Sequence, residues 1–371
     1  MKSITCFTES LGGGGAEHQM VILAGMLKEK GYDVNLVTYA SLPDHYDTPI
    51  GVHRLEVGKT GFKGRRIKAF IKALKVFHFF FWHDTDCIIS YRESANLRVL
   101  IPMLFRSRKK VKVICSDRNT SVVITRKHWL LLNFLYKRAD YIVPNSKTQT
   151  EIIASYKPQL RKKLITIHNY TDLHQFVESK VPEDMSVFRI AVFSRFSAQK
   201  NPLGFAEALK MLKEKTSYKF QVHWYGSQSG DINGYCKEYL SLNDKIDNLG
   251  IRQEFILHPA VKNPATEMNY YHAVSLPSIY EGFSNSIAEA ICCGKPMLVS
   301  DVSDNSLMVH DGENGFLFDP KDIDSICHAF LSLFDLNYEE MSKMGKRSRE
   351  IAESLFDKES FIKKYIDLIE S

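Results

Sequence analysis

"IYEGFSNSIAEAICCGKPMLVSD", Ile279 to Asp301, is the stretch that decides the fold. Gly282 permits a tight bend, and Ser284 or Asn285 can cap a helix running through Ile287 and Ala290. A Gly-Lys-Pro turn then leads into the β-branched run "PMLVSD". Short apolar strands joined by helices of this kind belong to parallel sheets buried on both faces. Glu281 sits in the loop above the helix mouth, where the free N–H groups of residues 283–286 point, and Glu289 lies two turns into the helix. A diphosphate or a sugar would be held there by those N–H groups and the helix dipole. A carboxylate beside phosphates is tolerable when it accepts hydrogen bonds from hydroxyls, as a ribose or sugar ring supplies. The plainer alternative makes Glu281 a dipole-compensating residue and Glu289 a surface one.

The same scheme runs outward in both directions. Before this stretch come "FRIAVFSR", "PLGFAEALKMLKEK", "FQVHWYG", "EFILHPA" and "HAVSLPS", and after it "GFLFD". The first half repeats it with "SITCFTE", "AEHQMVILAGMLKEKG", "DVNLVTYA", "DCIISY", "KVICSDRN" and "DYIVPNS". At 371 residues the chain exceeds a single core. The expectation is α/β: two doubly wound, Rossmann-like domains facing each other across a cleft, with ligands at the carboxyl ends of the strands. The polar stretch 169–186, which carries a Pro and lacks periodicity, reads as the linker. The domains then span 1–172 and 187–356, and "ESFIKKYIDLIE" within 357–371 reads as a final helix.

Charge divides along the same line. Residues 1–180 hold 29 Lys+Arg against 15 Asp+Glu (+14), and residues 181–371 hold 20 against 28 (−8), which together make the net +6. Opposite signs imply different partners. The seven cysteines include no CxxC pair, which fits small buried thiols in a reducing cytoplasm better than a metal or disulfide framework. "MKSITCFTESLGGGG" reads as a strand and turn, not a secretory leader, and the aromatic run "VFHFFFWH" (Val76–His83) is far short of a membrane span.

Two motifs carry chemistry. "ESLGGGGAEHQ" (Glu9–Gln19) joins a strand to a helix with glycines that let backbone approach an anion. It fails the dinucleotide spacing, since Gly12-x-Gly14 is followed three residues later by Glu17 and Gly13-x-Gly15 by His18. "FSRFSAQKNPLGF" (Phe193–Phe205) places Arg195 and Lys200 just after a strand. A guanidinium fork and a compact ammonium together neutralise a diphosphate, and they favour its departure because charge grows on the leaving group.

Taken together, these pieces resemble a retaining glycosyltransferase of family 4 with the GT-B fold, of the bacterial polysaccharide and lipid-linked-glycan type. The resemblance also rests on "ADYIVPNSKT", "ITIHNYTDLHQF" and "GENGFLFDPKD", and most of all on Glu281 to Glu289, which fits the family's E-x7-E element. It implies that Arg195 and Lys200 bind the donor diphosphate, that Glu281 contacts the transferred sugar, and that Glu289 contacts the ribose. Backbone of Gly282, Phe283, Ser284 and Asn285 would touch sugar and β-phosphate, Gly14 and Gly15 would face the diphosphate, and Val261 would contact the base. Departures are Ser194-Arg195-Phe196 for Gly-Arg-Leu, His168-Asn169-Tyr170 for Pro-Asn-Gly, and no histidine in Ile88–Leu97. The implied reaction is transfer from a nucleotide-sugar (UDP-sugar first, GDP-mannose second) with retained configuration; a front-face route is the favoured one, and a double displacement with Glu281 as nucleophile is the alternative. No cofactor is implied, and the resemblance implies that the helix within 357–371 crosses back onto the first domain.

Three other signals bear on partners. Asp84-Thr85-Asp86 has the DxD form but falls at the amino end of the sheet, so metal-independent activity is expected. Lys59 to His83 holds seven Lys or Arg among aromatics, and Arg106 to Lys112 adds five more. They suggest a basic amphipathic segment on anionic lipid, peripheral to the inner face of the cell membrane, and hence a glycan or lipid-linked glycan acceptor. No nucleic-acid motif accompanies them. Asp117, Arg118 and Asn119 in "CSDRNTS" follow a strand and are the expected acceptor contacts. The rival readings are a nucleotide-sugar epimerase on the same scaffold and a non-catalytic membrane scaffold.

Overall fold

The computed structural model describes residues 1–12, 14–39, 48–55, 65–106, 111–118, 125–232 and 234–371. Gly13, Asn119, residues 59–64 of the basic segment and residues 107–110 lie outside them. The apolar runs of the first half form β1 (Ser3–Thr8), β2 (Asp33–Thr38), β3 (Val52–Arg54), β4 (Cys87–Tyr91), β5 (Lys112–Asp117) and β6 (Tyr141–Pro144). They pair in parallel in the order β3-β2-β1-β4-β5-β6, with Ile4 in register with Val34 on one side and Cys87 on the other. The second half supplies β7 (Phe188–Phe193), β8 (Phe220–Gly226), a short exposed ribbon β9 (Ser229–Ile232), β10 (Phe255–Pro259), β11 (Ala273–Leu276), β12 (Met297–Ser300) and β13 (Gly315–Phe318). Its parallel sheet runs β10-β8-β7-β11-β12-β13, the same winding again. Each sheet therefore has a switch point, between β1 and β4 and between β7 and β11, where the chain reverses its direction of growth and a crevice opens at the carboxyl ends.

Helices cover both sheets: α1 (Gly15–Glu29), α2 (Arg65–Trp82), α3 (Glu93–Met103), α4 (Arg126–Leu130) and α5 (Lys147–Tyr156) in the first half. The second half has α6 (Pro202–Lys215), α7 (Lys237–Leu249), α8 (Pro264–Met268), α9 (Asn285–Cys292), α10 (Ile323–Phe334), α11 (Tyr338–Leu355) and α12 (Lys358–Glu370). Two cores result. One gathers Phe7, Val37, Ile88, Val113 and Ile142 with Val76 and Phe80 of α2, and the other gathers Ile190, Val222, Trp224 and Phe255 with Phe205 and Phe330.

The chain divides into two compact units, 1–170 with 358–371, and 171–357. From Thr171 onward the polar stretch that read as a linker belongs to the second unit. Val181 joins its core, the Ser179 N–H donates to the Cys293 carbonyl at 2.9 Å, and the fully buried Lys295 ammonium donates to the Lys180 carbonyl at 3.0 Å. Helix α12 returns to the first unit. It buries Phe361, Ile362, Tyr365, Leu368 and Ile369, while the Lys2–Glu370 and Lys30–Glu359 pairs fasten its rim.

Arg118 is the polar pin of that docking. Its guanidinium lies 3.8 Å over the Tyr91 ring, donates to Asn169 Oδ1 at 2.5 Å and to the Tyr365 hydroxyl at 2.8 Å, and leaves the residue 7% exposed. Arg118→Ala would strand these partners and open a cavity beside Tyr91. We expect a loss of about 2–4 kcal/mol in urea unfolding of the first unit. A loss below about 0.5 kcal/mol would mean that the apolar face of α12 suffices by itself.

Candidate active site

At the switch point of the second unit two loops are laced together. The Ile279 N–H donates to the Gln199 carbonyl at 2.8 Å, and Gln199 Nε2 donates to the Tyr280 carbonyl at 3.0 Å. This lacing brings the 3₁₀ turn Ala198–Lys200, which follows β7, against the loop that follows β11. Lys200 consequently donates to Glu281, in an ion pair whose side chains are 12% and 8% exposed. Ser303 closes the loop from the far side, its hydroxyl meeting both the carbonyl and the N–H of Glu281. Asn201 (φ 56°) and Ser303 (φ 53°) hold left-handed backbone at this point, which costs a residue with a side chain about 1–3 kcal/mol. Arg195, also just past β7, is exposed, with no hydrogen bond or ion pair among the described residues.

Helix α9 begins directly after this loop. Ser284 is its N-cap, accepting the Ile287 N–H at 3.4 Å, and no acidic side chain occupies its first turn. The positive end of the helix thus has no acidic side chain in its first turn, and such an end attracts anions. Phe283 is buried against Phe356, so only its backbone can face a ligand. The hydroxyls of Ser194, Ser197 and Ser278 are buried at the same strand ends without a hydrogen-bond partner among the described residues. Buried donors of this kind suit an oxygen-rich ligand. Past β10, Val261 is half-buried beside an open recess of about 480 Å³ bounded by Ser227, Gln228, Pro259 and Ala260. Glu289 is half-buried on α9, has no hydrogen bond to its carboxyl among the described residues, and is pushed up to about 7 by desolvation.

The first unit places its expected residues differently. Gly14 is the N-cap of α1, and a Cβ there would overlap the carboxylate of Glu17, which folds back from the first turn and is 4% exposed. Arg92, just past β4, donates to that carboxylate at 2.7 Å. Arg92 has φ 82°, so all three non-glycine residues with positive φ among the described residues stand at the two switch points. Asp117 is buried, its Oδ2 3.2 Å from His128 Nε2, with Glu93 3.7 Å from the other ring nitrogen. Burial opposes charging of His128, but the two carboxylates outweigh it and hold its pKa above the usual value. Arg118 is committed to Asn169 and Tyr365, not open to a crevice, and Asn119 lies outside the described residues. Asp84-Thr85-Asp86 lies at the amino end of the sheet, where Asp86 accepts the Ser3 N–H at 3.0 Å and the Thr85 hydroxyl donates to the Ser3 carbonyl. Among the described residues no three His, Cys, Asp or Glu side chains gather as metal ligands would.

With this geometry in place, comparison with known proteins is decisive. Residues 13–175 match the model of "Glycosyltransferase Family 4" and residues 175–351 that of "Glycosyl transferases group 1". The chain belongs to glycosyltransferase family 4. It is 24% identical to an N-acetylgalactosamine-N,N'-diacetylbacillosaminyl-diphospho-undecaprenol 4-alpha-N-acetylgalactosaminyltransferase of Campylobacter jejuni, over 96% of both chains. It is 28% identical to a UDP-Gal:alpha-D-GlcNAc-diphosphoundecaprenol alpha-1,3-galactosyltransferase of Escherichia coli, over 47% of this chain and 46% of that one. Among solved structures, HepE of Anabaena in complex with UDP and glucose matches at 17% identity and a TM-score of 0.79 over 100% of both chains. The lipopolysaccharide outer core galactosyltransferase WaaB matches at 18% and 0.75, over 100% of this chain and 99% of that one. These likenesses give the glycosyltransferase the GT-B fold.

Sequence reading missed Glu17, Arg92 and Ser303 as parts of the strand-end machinery. Glu17 stood in the quoted glycine run, but backbone signs such as those of Arg92 and Ser303 leave no trace in residue type. Glu289 offers a direct check on the glycosyltransferase. Its folded carboxyl keeps a proton up to pH about 7, whereas the unfolded chain releases it near the ordinary 4.5. The folded state binds more protons in that window, so stability falls as pH rises from 4.5 to 7 and levels off above. Against Glu289→Gln, the wild type is expected to lose on the order of 1–3 kcal/mol across the window, nearer the low end because water reaches one edge of the group. Parallel stability curves for the two proteins would contradict the burial cost assigned to this carboxyl.

Proposed function

We propose that this glycosyltransferase moves a sugar, with retention of configuration, from a nucleoside-diphosphate donor on the second unit to a lipid-linked glycan at the inner face of the cell membrane. UDP-sugars are the favoured donors and GDP-mannose the second candidate. The observation that carries the reading is the Lys200–Glu281 pair at the switch point, under an α9 amino terminus free of acidic side chains. Arg195 and Lys200 would grip the diphosphate, and the α9 N–H groups would receive its β-phosphate. Glu281 would hold a hydroxyl of the transferred sugar, Glu289 the ribose, and the recess beside Val261 the base. The relatives' names support the acceptor class, since both include a diphospho-undecaprenol glycan, and one includes a UDP-sugar.

In the step itself the bond from the sugar's anomeric carbon to the β-phosphate oxygen breaks while the acceptor oxygen bonds to that carbon from the same face. The acceptor's proton passes to the departing phosphate, whose growing charge the two cations meet without rearranging. Those cations supply the charge that a divalent metal supplies elsewhere, so chelators are expected to leave the rate unchanged.

Exposed apolar side chains support the membrane reading. Helix α2 buries Val76 and Phe80, yet shows a second apolar stripe, Ile67, Phe70 and Leu74, with Trp82 and the nearby Phe105 also exposed. Among the described residues no helix is long and apolar enough to cross a membrane. A lipid interface accommodates such a stripe among basic residues.

The test is turnover across a panel of UDP- and GDP-sugars with a prenyl-diphosphate glycan acceptor. Glu281→Ala, Arg195→Ala and Lys200→Ala should each lower kcat/KM about 100-fold or more. Undiminished transfer by Glu281→Ala with every usable donor ends this assignment. The titration of Glu289 adds a signature: donor KM should rise as pH falls through about 7, and Glu289→Gln should flatten the rise.

A further inference from the structure

The reading above leaves the charged part of the acceptor without a partner, because Arg118 is spent inside the first unit. A different set of cations stands at the carboxyl ends of β1, β2 and β4. Tyr39, the residue after β2, is 3% exposed, and its hydroxyl donates to Glu9, the residue after β1. Two cations rest on its ring, the Lys72 ammonium 4.6 Å and the Arg98 guanidinium 4.0 Å from the centroid. Ser94 Oγ donates to Glu9 at 2.9 Å, and Arg98 Nη1 to the Ser94 carbonyl at 2.6 Å.

The charges here do not balance. Lys72, Arg92 and Arg98 face two carboxylates, and one of these, Glu17, is taken by Arg92 at 2.7 Å. Glu9 accepts two hydroxyl hydrogen bonds; burial opposes its ionisation, but those bonds and the fields of Arg92 and Arg98 hold its pKa below the ordinary range. Lys72 forms no ion pair among the described residues, and burial followed by repulsion from Arg98 lowers its pKa. Two half-buried cations held on one ring repel each other in the empty protein. An anion placed against both removes that repulsion, and Arg98 can offer it a fork while Lys72 offers a point charge. The site lies at a parallel sheet's switch point, where such folds bind ligands, and the strained backbone of Arg92 (φ 82°) flanks it.

Position on α2 narrows the ligand. Lys72 turns inward to Tyr39, while Phe70 and Leu74, two residues to either side, are 63% and 51% exposed. An anion held by Lys72 therefore lies about one helix diameter, ~10 Å, from the outward apolar stripe. A diphosphate that joins a lipid tail to a sugar has that combination of parts. We propose that Lys72 and Arg98, seated on Tyr39 and steadied by Glu9, form a phosphate-binding site on the first unit whose ligand is the diphosphate of the lipid-linked acceptor. The identity of that ligand rests on the acceptor reading given above.

Inorganic pyrophosphate is the probe, used with the full chain. In an Arg195→Gln/Lys200→Gln background, which disarms the donor cations, the remaining pyrophosphate binding is read by isothermal titration. Adding Lys72→Gln/Arg98→Gln is expected to weaken it about tenfold or more, and Arg98→Lys in place of Arg98→Gln to restore part. In turnover, Lys72→Gln/Arg98→Gln alone should raise acceptor KM by a similar factor, with kcat within about threefold and donor KM unchanged. Lys72→Gln by itself gives the same reading should the double variant lose its fold. Unchanged pyrophosphate affinity overturns the site without touching the donor machinery, which the Glu281 and Arg195 variants test separately. Weaker binding to phosphatidylglycerol vesicles, with pyrophosphate affinity and acceptor KM unchanged, assigns these cations to lipid headgroups and also overturns it.

Discussion

The second unit is arranged around the contact between Lys200 and Glu281. Both side chains are nearly out of water, and a pair in that position gains in attraction roughly what it loses in desolvation, so it adds little net stability. Around it the chain spends more: Asn201 and Ser303 hold left-handed backbone, and the hydroxyls of Ser194, Ser197 and Ser278 go without partners among the described residues. A sequence selected for stability alone would replace all of these. What the arrangement achieves is a cation and a carboxylate fixed at the strand ends before any ligand arrives, and charges already in place need no reorganisation when a bond breaks.

The first unit repeats the solution with different chemistry. Its switch point carries Arg92 and Glu17 where the second carries Lys200 and Glu281, again with a positive-φ residue alongside. The reason is topological. In a parallel sheet wound both ways, the loops after the two central strands cannot cover each other, so long side chains from them meet in the gap. Whether that gap keeps a helix start open is settled by where the acidic residue stands. Glu17 is inside the first turn of α1 and closes over Gly14, whereas Glu281 precedes α9 by four residues and leaves its first turn without an acidic side chain.

This difference marks how far the sequence could be read. Glu281 and Lys200 are 81 residues apart; their places after strands were legible, but their pairing was not, because it follows from a strand order that sets β7 beside β11. Ser284 was one of two caps that the residue types allowed. Gly14 was read as room for an external anion, and spacing cannot tell that from room for the protein's own carboxylate three residues on. Arg118 was read as facing a crevice because it follows a strand, but its fate is decided by Tyr365, 247 residues later, on a helix whose return to the first unit was expected from the family resemblance and not from its own residues. Likewise the basic-aromatic character of α2 was plain in the sequence. Which of its two apolar stripes faces outward depends on Val76 and Phe80 finding the core.

Net charge and local charge pull in opposite senses, and burial reconciles them. Residues 181–371 carry −8, which at long range would repel a donor that is itself an anion. In physiological salt that repulsion fades over roughly 8 Å, while Lys200, largely shielded from water, acts at contact where screening hardly reaches. Residues 1–180 carry +14, and the half-exposed Lys72 and Arg98 share a helical layer with Lys75, which is open to solvent. Charges of that second kind act at a distance on an anionic surface and weaken as salt rises. Exposed cations therefore act at long range and buried ones at contact, so the two halves can differ in overall sign while each presents positive charge at its strand ends.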